Sequence, residues 1–91
     1  MNLEEAKAEI SNIIHRAAEG AFHSEESQRI KSAVSDLYFH ARHEDRLHIQ
    51  ELERYLKMFD SPQKALHVGY DQIRVRVISE LDKIGRGRSQ R

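Results

Sequence analysis

His40, Glu44 and His48 follow one another at intervals of four residues, a spacing that places side chains on adjacent turns of one helical face. Two imidazoles and a carboxylate are the ligand types that hold Zn²⁺ or another transition metal, and His43, one step around from His40, offers a further imidazole. The order departs from known metal motifs. Glu44 occupies the middle turn instead of directly following the first histidine, so no HExxH exists. The glutamate also stands four residues before His48, not the three of a di-iron pair. A lone helix brings too few ligands together to close a site, so a polar layer is the preferred reading. In it Glu44 and Asp45 meet Arg42, Arg46 or groups across an interface and fix the register of packed helices. No cofactor is expected, and His40, Glu44 and His48 stand as weak metal candidates.

Other chemistry finds less support. The chain has no cysteine, which removes disulfides, thiolate zinc sites and a thiol nucleophile. No glycine-rich phosphate loop or nucleophile motif occurs, and the acidic pairs Glu4-Glu5 and Glu25-Glu26 each open a helical segment, where the helix dipole accounts for them. The expectation is a protein that is not an enzyme. A second, less favoured possibility is nucleic-acid binding through the arginine-rich end: Arg74, Arg76, Lys83, Arg86, Arg88 and Arg91 are locally positive. No aromatic residue interleaves with them to stack bases. A histidine-rich metal-binding or pH-responsive role is a third, since six histidines raise the charge as pH falls toward 6.

Charge at the scale of the chain excludes little and favours nothing. Lys plus Arg and Asp plus Glu number 15 each, for a formal net charge of zero, so there is no global attraction to nucleic acid or anionic membrane. The acidic, amphipathic start and the lack of a long apolar run give no membrane span or secretory signal, and a cytoplasmic location is the default expectation.

The positioning elements are helices. Asn2 and Glu5 form a capping box for a first helix whose apolar face runs Leu3, Ala6, Ile10, Ile13, Ile14 and Ala17, to about Glu19, with Gly20 as its terminator. Ser24 is the expected cap of a second helix. From there, Ile30, Val34, Leu37, Ala41, Leu52, Tyr55 and Phe59 keep helical spacing, interrupted by Glu44, Asp45 and His48. With no glycine or proline at the interruption, one continuous or bent helix of about 35 residues, roughly 52 Å long, is the favoured reading. The alternative is a break near 43–46, with Asp45 capping a new helix. Ser61-Pro62 opens the last helix, which carries Leu66, Tyr70, Ile73, Val77, Leu81 and Ile84, tolerates Gly69 in its interior and ends at Gly85.

The expected fold is therefore all-α, an antiparallel helical bundle of three helices with a long central one, or four if it breaks, in a single domain of residues 1–85 with a flexible basic tail at 86–91. A rod of that length has more apolar surface than its neighbours can cover, so the core is expected to be completed by a homodimer. Leu37, Tyr38, Phe39, Ala41, Leu52, Tyr55, Val68 and Val75 are the expected interface residues. Function follows as that of a self-associating, non-enzymatic protein-binding module of adaptor, inhibitor or regulator type with an unidentified protein partner.

Overall fold

The structure, a computed structural model, describes residues 2–17, 22–61 and 68–85. Among these residues there are four α-helices and no strand: α1 (Leu3–Arg16), α2 (Ser24–His40), α3 (Arg46–Phe59) and α4 (Tyr70–Lys83), with a 3-10 turn at His43–Asp45. The stretch Ile73–Val77, whose alternation resembles a strand, is helical.

Local chemistry sets the helix starts. Asn2 accepts from the Glu5 amide at 2.8 Å while Glu5 Oε1 accepts from the Asn2 amide at 2.9 Å, a complete capping box. α2 begins one residue earlier than the Ser24 cap implied: His23 is the cap, and its amide donates to Glu26 Oε1 at 2.9 Å. α1 ends at Arg16 with Ala17 in extended conformation, and Gly20 lies outside the described residues, as does the start proposed at Pro62.

The long central helix is not present. α2 stops at His40, and Ala41 (φ −71°, ψ 143°) and Arg42 (φ −82°, ψ 166°) are both extended before the chain turns into α3. These backbone angles are open to any residue, so the break needs neither glycine nor proline. Asp45 rewards it. Its side chain is buried at 4% exposure, with Oδ2 accepting from the Arg42 amide at 3.1 Å and Oδ1 from the Gly85 amide at 3.1 Å. One carboxylate thus ties the α2–α3 corner to the end of α4. The longest dimension of the molecule is 40 Å, shorter than the roughly 52 Å of an unbroken rod.

Gly69 is also not a helix-interior residue. Its φ of +94° puts it in the region that favours glycine, and it stands as the cap before α4. Gly85, at φ +74°, follows the end of α4 as expected.

Once the chain folds back, the four helices share one core. Ile10, Ile13, Ile14, Leu37, Ile49, Leu52, Phe59, Ile73, Val77 and Ile84 are fully buried within a single chain. This overturns the argument that the apolar stripe requires a second copy, because α3 covers with its own turn of chain what a straight rod would leave open. α1 and α4 run antiparallel and cap one another: Lys7 Nζ donates to the Ile84 carbonyl at 2.9 Å, and Arg74 donates to the carbonyls of Ile14 at 3.1 Å and Ala17 at 2.7 Å. Cations at helix C-termini satisfy orphan carbonyls and oppose the dipole. At the same end, Phe59 stacks on Phe22 and meets Tyr70 edge-on, each at 5.1 Å between centroids, with the Arg74 guanidinium over its ring.

Candidate interaction surface

α2 and α3 lie side by side and antiparallel. Tyr38, near the end of α2, donates to Glu53 at 2.6 Å, and the Phe22 amide, before α2, donates to Asp60 Oδ1 at 3.0 Å beyond the end of α3. Between these two ties the helices leave an open groove of about 220 Å³. Its apolar floor is Phe22, Ile30, Val34 and Leu56, and its rim carries Lys31 and Lys57 against Glu53 and Asp60. Glu53 belongs to both groups, so the Tyr38 hydrogen bond fixes one wall of the groove. Partial burial, the hydrogen bond to Glu53 and the nearby carboxylate charge push the Tyr38 phenol up to about 12, while Arg46 pulls the other way. The phenol therefore stays a donor at neutral pH.

At the corner end of this pair stand two large apolar side chains in solvent, Phe39 at 83% exposure and Leu47 at 71%. Each is two residues from a core position, Leu37 or Ile49, which at about 100° per residue turns it nearly opposite the core. The Phe39 ring touches the His40 imidazole edge-on at 5.1 Å between centroids. The α2–α3 pair thus has two exposed apolar side chains near its corner and, toward the start of α2 and the end of α3, an apolar recess.

The expected interface residues separate under this geometry. Leu37 and Leu52 are fully buried and offer nothing to a partner, because the break turns both into the chain's own core. Tyr38, Ala41 and Tyr55 are half-buried, with Tyr55 beneath the Arg54 guanidinium at 4.8 Å. Phe39 is exposed; Val68, at 39%, and Val75, at 61%, are exposed away from it at the start and middle of the α4 region. Leu47 was not legible as a surface contact, since only the position of the break determines which way it points.

The metal candidates do not converge. The helix break separates His40 from Glu44 and His48; Glu44 is exposed, and His48 Nδ1 contacts Glu80 Oε1 at 2.8 Å across α3 and α4. Among the described residues no group of three histidines, aspartates or glutamates is placed to hold an ion. The predicted basic cluster is likewise divided. Arg74 is consumed in closing α1 and also pairs with Asp71 at 2.8 Å, Lys83 lies 3.6 Å from Glu80, Arg76 is exposed, and Arg86, Arg88 and Arg91 lie outside the described residues. On α3, Arg54 hydrogen-bonds Glu51 at 2.8 Å, which holds the Glu51 carboxyl below its ordinary range and the guanidinium above its own.

Among the described residues, every buried side-chain nitrogen and oxygen has a hydrogen-bond partner, so no polar atom is held in reserve in the interior. No described helix is long and apolar enough to cross a membrane. Comparison with protein-family models, with curated proteins and with solved structures gives no match.

Proposed function

We propose that this chain is a non-enzymatic, protein-binding helical module whose contact surface is the outer face of α2 and α3. The reading is carried by Phe39 and Leu47. Two large apolar side chains, more than two-thirds in solvent on a chain whose core is already filled, are the kind of anchors that interfaces desolvate. The groove behind them supplies the recess that such anchors use, and its rim carries both signs of charge, which selects orientation more than it adds affinity. Helix pairs with an apolar groove receive helices or side-chain anchors of protein partners. An adaptor, inhibitor or regulator works through such a surface without bond chemistry.

Site-specific photocrosslinking in the native host tests this. With a benzophenone amino acid replacing Phe39, a discrete protein adduct is expected, and the same group at Ser79 on α4 is expected to give none. Absence of any adduct from position 39, or equal labelling from both positions, contradicts the assignment.

A further inference from the structure

The chain folds as two helix pairs. α1 packs chiefly against α2 and α3 chiefly against α4, and contact between the pairs is thinner. The backbone passes from one pair to the other only through residues 41–45. We propose that two copies of this chain exchange helix pairs by opening at this corner, so that α2 and α3 run on as one helix and each α1–α2 pair docks on the α3–α4 pair of the other copy. A second copy is the occupant because one buried apolar cluster runs through all four helices, and the surface that opening bares is shaped to the other half of the same sequence. The bonds between the pairs pass over unchanged: Lys7 to the Ile84 carbonyl, Arg74 to the carbonyls of Ile14 and Ala17, Tyr38 to Glu53, and the Phe22 amide to Asp60. Closed and exchanged forms therefore differ chiefly at the corner.

The corner permits both forms. No glycine or proline stands between Arg29 and Phe59. Carried through the corner at about 100° per residue, the buried faces of α2 (Ile30, Val34, Leu37) and α3 (Ile49, Leu52, Leu56) fall within about a third of one helix circumference. Tyr38 opposite Glu53 and Phe22 opposite Asp60 set α2 and α3 antiparallel with the corner at the midpoint. Two straight α2–α3 helices keep that pairing about a twofold axis through the corner. Asp45 holds the closed form: the Arg42 amide that donates to it at 3.1 Å would turn to the Tyr38 carbonyl in a straight helix. The exchange does not use the outer face of α2 and α3, so it neither needs nor prevents a different protein bound there.

The chain has no cysteine, which allows a direct test. K31C and K57C place spin labels at exposed positions on the groove between α2 and α3. The full chain, mixed with excess unlabelled chain, is refolded from denaturant at roughly 1 mM, and the dimer is isolated by size exclusion. Electron–electron double resonance then reads the distance within one chain. Labels on neighbouring helices of a closed chain lie on the order of 20 Å apart. In the exchanged dimer, 26 residues of straight helix put them about 39 Å apart, the expected result. D45A, which removes the closed corner's acceptor, is expected to raise the dimer fraction about fivefold. H43P fits the closed corner, because His43 opens the 3-10 turn after an extended Arg42, but it forbids the straight helix. It is expected to lower the dimer fraction about tenfold or more. Far-UV circular dichroism checks that both variants fold, and if D45A does not, H43P against the parent chain decides. No dimer from the parent chain or D45A, a dimer that keeps the short distance, or equal dimer from H43P and the parent overturns the proposal.

Discussion

Tyr38 and Arg74 are the residues whose environments lead to measurable consequences. The fold holds Tyr38 protonated up to about 12 against an ordinary value of 10, so the neutral phenol is favoured by folding. Its contribution is complete below pH 10 and is lost as pH rises from 10 through about 12. In an ultraviolet titration, one of the three tyrosines is expected to ionise late, and Y38F is expected to remove that late component. Arg74 does its work inside the molecule. R74A leaves the last carbonyls of α1 without their donor and uncovers Phe59, and is expected to cost about 1.5–3 kcal/mol in chemical denaturation. R76A, at an exposed position of the same helix, is expected to stay within about 0.5 kcal/mol of the parent. The sequence placed both arginines in one basic cluster because spacing along the chain reports which residues share a helix. It does not report that the end of α1 arrives beside one of them.

The corner between α2 and α3 is the element on which the architecture turns. D45A strips the acceptor from the part-buried amides of Arg42 and Gly85 at once, and a loss of about 1–3 kcal/mol is expected by equilibrium unfolding. The glycines beside α4 respond unequally. G69A meets no atom within 4 Å, but φ +94° with ψ 136° is a backbone region that only glycine adopts readily, at a cost of about 1–3 kcal/mol for alanine. G85A adds a Cβ 2.6 Å from Leu3 Cδ2, the end of a side chain that must turn aside, so its melting temperature is expected to fall through that shift as well as through the positive φ. Much at this scale was legible from local chemistry. The Asn2–Glu5 box, the acidic first turn of α2 and the stop at Gly85 are all short-range pairings. The break was not, because Ala41 and Arg42 bend the chain with ordinary extended angles and the stabilising bond from Gly85 comes from 40 residues away. Asp45 and the gap in the apolar stripe were the visible trace of it. Once the break is missed, Leu37 and Leu52 read as surface and Leu47 goes unnoticed.

For the whole molecule, the break removes the need for a second copy that a straight rod would impose. An unbroken rod would need a second copy to shelter its core, and a dimer of that kind would not outlive dilution as a folded monomer. A chain that buries its own apolar stripe is left with Phe39, Leu47 and a groove, a contact added to a finished fold. Sedimentation velocity over a dilution series distinguishes these cases most directly. The account predicts that the chain keeps the low frictional ratio of a compact fold down to about 1 µM. A chain that expands on dilution would contradict the closed core.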